Sequence, residues 1–199
     1  MRSRPSRDAA TLLRDVAWAI DRGLEARELV PMLGALVQRT APTEAAGWFA
    51  RVRLAALVVE VEPWRAALLA REALRARPDA FAYGVLGLAL TVQGHPRAAA
   101  AAYRRALALD PACPSVLHNL GHLTDVVFDQ PRAALALLAR ACRAAPHDPE
   151  IAASLAHALA RAAEPERAAR VLARVVGAAR AAELLRGWAA RGLPPSTSG

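Results

Sequence analysis

Residues Ala80–Pro111 read AFAYGVLGLALTVQGHPRAAAAAYRRALALDP, and this stretch decides the fold. Two apolar, alanine-rich halves flank the short break QGHP, and alanine is the strongest helix former. Gly94 suits the left-handed position that closes a helix, and Pro96 suits the first turn of the next one. The pattern predicts a helical hairpin. Gly87 lets its two helices approach, Ala99 and Ala106 keep the facing side small, Tyr103 fills the gap between repeats, and Pro111 ends the second helix.

The same pattern recurs on both sides at a period of about 34 residues, the signature of a stacked-repeat architecture. Downstream, 114–146 places Leu117, Leu120-Gly121 and Thr124 in a first helix and Ala134, Leu138, Ala141 and Pro146 in a second, with one extra residue assigned to the loop FDQP. The unit 149–177 offers Leu155-Ala156, Leu159, Ala168 and Leu172 but has neither an aromatic start nor a closing proline. Upstream, 48–78 fits with Leu54-Ala55, Val58, Ala66, Ala70, Ala73 and Pro78, if the loop VEP is one residue short. Tyr83, Leu86-Gly87, Leu90, Ala99, Tyr103, Ala106 and Pro111 occupy successive positions of the tetratricopeptide (TPR) pattern, which the chain closely resembles from Trp48 to about Gly177.

The resemblance implies an all-α, right-handed α-solenoid of antiparallel helix hairpins. About five hairpins are expected, a divergent one at 8–40 and the four repeats, followed by a capping helix at 178–191. That last helix sets Leu184, Leu185 and Trp188 opposite Arg180, Glu183 and Arg186. The ends, 1–7 and 192–199, have no apolar periodicity and are expected to be disordered.

In TPR proteins the first helix of each hairpin lines a concave groove. Carried over by position, the resemblance assigns Phe49, Val52, Arg53, Phe81, Val85 and Leu88 to a largely apolar half. His118, Asn119, His122, Asp125, Ser154, His157 and Arg161 fall in a polar half. An apolar groove accepts an amphipathic helix or an extended segment, so the expected function is a scaffold or adaptor holding a partner protein or peptide. Cover by the chain's own N-terminal helices or by a second copy is the competing reading.

His118 and His122 stand one turn apart, Asp125 falls on the same stripe, and His157 occupies the equivalent place on the neighbouring first helix. Imidazoles with a carboxylate suit zinc or nickel. A solvated patch that reads a ligand's polar groups accounts for the same residues, and no metal or other cofactor is assigned. One TPR subclass clamps a C-terminal carboxylate with lysines and asparagines, and Asn119 matches one of those positions. Gly84, Leu88, Glu150 and Ser154 do not match the others, which argues against that mode.

All 26 basic residues are arginine, the net charge is +8, and the hydrophobic fraction is 55% with only 5% aromatic. Arginines such as Arg71, Arg75, Arg97, Arg104, Arg105, Arg140, Arg143, Arg170 and Arg174 gather on the second helices, making the convex side basic. Polyanion binding there is the alternative function. Without aromatic platforms between the arginines, nucleic acid is disfavoured. Solvated charge or coding bias toward GC-rich codons explains the same composition.

The chain has no lysine, no G-x-G-x-x-G, no G-x-S-x-G and no metalloprotease helix, so it is not expected to be an enzyme. Cys113 and Cys142 are too few for a disulfide framework and too separated for a metal knuckle. Arg14 and Asp15 interrupt the first apolar stretch, and the longest uncharged apolar run, Ala80–Val92, is shorter than a membrane span. A bacterial-type cytoplasmic protein without membrane contact is the resulting expectation.

Overall fold

A computed structural model describes residues 8–190, and the chain divides after Leu109 into two compact units. The terminal segments 1–7 and 192–199, expected to be disordered, lie outside the described residues, as does Arg191. Among the described residues there are eleven α-helices and no strand, with successive helices of each unit packed on one another as in an α-solenoid.

The first unit carries α1 (Ala9–Asp21), α2 (Ala26–Arg39), α3 (Ala45–Val58), α4 (Pro63–Ala76), α5 (Ala80–Val92) and α6 (Pro96–Leu109). Side chains at the helix starts satisfy backbone donors that would otherwise lack partners. Asp8 accepts from the Thr11 amide at 2.7 Å and Asp79 from the Ala82 amide at 2.8 Å. Pro63 and Pro96 open α4 and α6, where a missing N–H costs nothing.

Gly87 accounts for the closeness of α5 and α6. A Cβ there would stand 2.5 Å from Tyr103 Cδ1, and the tyrosine is itself 1% exposed. Tyr103 therefore fills the space against its own hairpin's Gly87, where the sequence reading set it between repeats. Its hydroxyl lies 3.2 Å from Thr91 Oγ1, so the one polar atom of this ring has a partner.

A buried arginine joins α2, α3 and α4. Arg51 donates through Nε to Glu72 Oε2 at 2.9 Å, and through its terminal nitrogens to the carbonyls of Thr40, Gly47 and Val37 at 3.1, 3.0 and 3.4 Å. Val37 and Thr40 end α2, where carbonyls lack helical partners, so the cation satisfies them and faces the negative end of the helix dipole.

The second unit carries α7 (Pro114–His122), a π-turn (Leu123–Val127), α8 (Pro131–Ala144), α9 (Pro149–Arg161), α10 (Pro165–Val176) and α11 (Ala178–Ala190). The extra residue of this repeat, expected in the loop FDQP, lies inside the helix. Helix α7 and the π-turn span nine and five residues, against 13 for α5 and for α9, and the loops that follow are equally long. An i→i+5 turn is how a helix absorbs one inserted residue without losing the phase of what precedes it.

Gly121 repeats the role of Gly87, since a Cβ there would come 2.7 Å from Leu138 Cγ. Leu138, Leu155, Leu159, Ala168, Leu172 and Ala181 form the core, and each fully buried leucine contributes about 1.5–3 kcal/mol. Leu184, Leu185 and Trp188 of α11 pack partly buried against it, while Arg180, Glu183 and Arg186 remain exposed.

Candidate binding pocket on the first-helix face

Within the second unit, α7 with its π-turn, α9 and α11 surround a pocket of ≈ 560 Å³ lined by His122, Val126, Glu150, Ser154, His157 and Trp188, with Arg161 at its edge. Its rear wall depends on Asp125, a carboxylate only 1% exposed. Asp125 accepts from His157 Nδ1 at 2.7 Å and from Arg161 at 2.7 Å. Arg161 also donates to the Asp125 carbonyl at 2.5 Å, in the last turn of the helix where carbonyls lack a helical partner, and to the carboxylate of Asp129.

A buried carboxylate is costly unless it is paired and fully hydrogen-bonded, and two donors from α9 meet that requirement here. Burial works against the Arg161 charge, but hydrogen bonds and charge from Asp129 and Asp125 outweigh it and hold the guanidinium above its ordinary pKa. Two pocket side chains are thereby fixed. With Nδ1 engaged by Asp125, the His157 ring has its other nitrogen for a ligand, and the Trp188 ring stands edge-on to it at 5.7 Å between centroids.

His118 turns toward α9, its Nε2 lying 2.8 Å from Ser154 Oγ. Burial pushes its pKa below the ordinary 6.5, against the opposing pull of Glu150 and Asp148. His122 is exposed, with its ring 6.2 Å from that of His118, and Asn119 is half-buried beside them on α7. The stripe considered for a metal is distributed among other partners: His118 to Ser154, and His157 and Arg161 to Asp125. No group of three or more His, Cys, Asp or Glu side chains among the described residues is placed to hold a metal ion.

Asp125 does not present itself to the groove as the sequence reading placed it; it is buried behind the pocket wall. In the first unit Val52 and Val85 are likewise buried, at 3% and 8% exposure. Val52 packs with Ala73 and Ala82, so it supports the surface and does not form it. Phe81 is half exposed, Phe49 and Leu88 are partly covered, and Arg53 lies over the Phe49 ring at 5.8 Å. Arg53 also lines a smaller cavity of ≈ 180 Å³ with Ile20, Leu29 and Leu33 of the N-terminal hairpin.

Trp188 is the pocket residue that the sequence reading placed elsewhere, on the packing face of the capping helix. Its spacing with Leu184 and Leu185 gave that face. Nothing in the spacing showed that the ring would border a pocket beside His157.

The fold is that of tetratricopeptide-repeat proteins. A solved MamA structure from Desulfovibrio magneticus RS-1 superposes with a TM-score of 0.67 at 18% identity, covering 92% of this chain and 98% of that one. YrrB, described as a TPR protein with an unusual peptide-binding site, superposes with a TM-score of 0.65 at 16% identity, covering 92% of each chain. PilF of Pseudomonas aeruginosa gives 0.66 at 19% identity, with 94% of this chain and 93% of that one covered. No protein-family model matches the sequence, and no curated protein matches it. No helix among the described residues is long and apolar enough to cross a membrane.

Proposed function

We propose that this chain is a non-enzymatic protein-interaction scaffold that holds a segment of a partner protein on the first-helix face, with the His157–Trp188 pocket as its principal contact. The observation that carries this reading is the Asp125 arrangement. A buried carboxylate fixes His157 and Arg161 in an open pocket bordered by an aromatic ring, and a preorganised polar site of this kind loses little entropy on binding. The structural likeness to YrrB, whose description names a peptide-binding site, supports the same class of ligand.

Phe81, Phe49 and Leu88 provide apolar area on the first unit, suited to a partner's buried side chains. Both cysteines are free, which fits the reducing interior of a bacterial cell, the compartment we assign. Selection of a displayed random peptide library on the immobilised protein tests the proposal. Recurrent sequences should be enriched on wild type and lost on Trp188→Ala. Enrichment that is unchanged on that variant places binding elsewhere.

A further inference from the structure

The opposite side of the second unit carries a second recess, built from different chemistry. Two cavities of ≈ 450 and ≈ 220 Å³ lie between α8 and α10 and share Ala139, Leu155, Val171 and Arg174, so they form one trough. Its lining runs from Leu135 to Arg143 along α8, about 12 Å at the helical rise per residue. Between the helices it is apolar, with Leu155 and Leu159 of α9 beneath.

All its charged lining residues are arginines: Arg143 from α8, and Arg167, Arg170 and Arg174 from α10. Arg167 pairs with Glu164. Arg143, Arg170 and Arg174 are exposed and make no ion pair among the described residues. Positions 167, 170 and 174 recur at the three- and four-residue spacing that puts them on one stripe of α10.

We infer that this trough docks an acidic amphipathic helix of a partner polypeptide, its apolar face on the half-buried Leu135, Val171 and Val175 and its carboxylates on Arg143, Arg170 and Arg174. Charge complementarity selects an anionic occupant, and the apolar lining selects one with an apolar face. A fatty acid offers one carboxylate to a row of guanidiniums. A helix offers several at matching spacing, each able to form a two-pronged pair with an arginine. A nucleic acid would satisfy the arginines and leave the lining bare.

Cys142 lines the trough and supplies the readout, while Cys113, at the start of α7, serves as an internal control. The probe is a 14-residue peptide with leucines on one helical face and glutamates beside them. Its scrambled isomer, a 20-nucleotide single strand and dodecanoate are the comparisons. Binding is followed by calorimetry, and iodoacetamide modification of each cysteine by mass spectrometry.

The amphipathic peptide should bind and slow Cys142 modification at least fivefold with Cys113 unchanged. Arg143→Gln/Arg174→Gln should weaken binding at least tenfold while retaining the wild-type circular dichroism. Trp188→Ala, in the pocket on the other side, should leave it unchanged, so failure here is separable from failure of the first-helix reading. Equal binding by the scrambled peptide or the oligonucleotide without Cys142 protection would overturn the inference in favour of charge alone. Protection by dodecanoate alone would overturn it in favour of a small amphiphile.

Discussion

Asp125 and His157 meet across two helices at 2.7 Å, a carboxylate without solvent access holding a ring that lines a pocket. Asp125 lies in the π-turn that continues α7, and its carboxylate faces α9. Asp125→Asn keeps the volume and removes the charge that both His157 and Arg161 donate to. Removing one member of a buried pair costs about 3 kcal/mol or more, so the urea midpoint should fall well below that of wild type. Peptides selected on wild type should also lose affinity, because His157 and Arg161 are no longer held in place.

Gly87 and Tyr103 allow a cleaner test of packing. Alanine in place of a helical glycine gains about 1 kcal/mol from propensity alone. Here the added methyl would meet a ring that is 1% exposed and cannot retreat, and overpacking costs about 1–3 kcal/mol. Gly87→Ala should therefore be destabilising by urea denaturation despite the propensity gain. In the Tyr103→Leu background the same change should cost less, giving a double-mutant coupling of about 0.5 kcal/mol or more.

Hairpin turns here put a residue in the left-handed region, and not all of them use glycine. Gly23 has φ 67° and Gly94 φ 74°, but Asp129 has φ 54° and Ala163 φ 65°. Alanine pays about 1–2 kcal/mol for that conformation, and glycine gives part of this back through the freer unfolded chain, so Ala163→Gly should raise the unfolding free energy from urea titration by ~1 kcal/mol. Asp129→Gly should gain less or lose, since Asp129 also accepts from Arg161.

His118 sets a pH dependence. Burial lowers its pKa from 6.5, so below that value the unfolded chain binds a proton that the folded chain resists. Protons bound are then greater in the unfolded state, and stability rises with pH across this window and falls on acidification. His118→Gln should flatten the slope of unfolding free energy between about pH 7 and pH 5, measured by urea titration at each pH.

The helical hairpins were legible because their determinants are local. A glycine opposite a large ring, alanines on the facing side and proline at most boundaries write themselves into the sequence at fixed spacing, as Gly87, Tyr103, Ala99 and Pro96 show. The π-turn was not legible. The spacing showed one additional residue between Gly121 and Pro131, but a loop and a widened helical turn absorb it equally well on paper. Asp125 and the α9 donors decide between them, and that pairing spans more than thirty residues.

The same limit explains Arg51. In a chain whose every basic residue is arginine, nothing local marks one as buried, and its partners come from α2, α3 and α4. Val52 and Val85 were placed correctly on first helices, but whether a first-helix residue faces ligand or neighbour depends on how closely the next hairpin packs.

Occupation of the pocket between α7, α9 and α11 by a partner polypeptide can be read by site-specific photocrosslinking in the native host. Benzoylphenylalanine is placed at Ala153, in the pocket, and separately at Arg186, on the exposed face of α11. A discrete protein adduct is expected at Ala153, abolished by adding Trp188→Ala, and none at Arg186. Absence of any adduct at Ala153, or the same adduct from both positions, would contradict it.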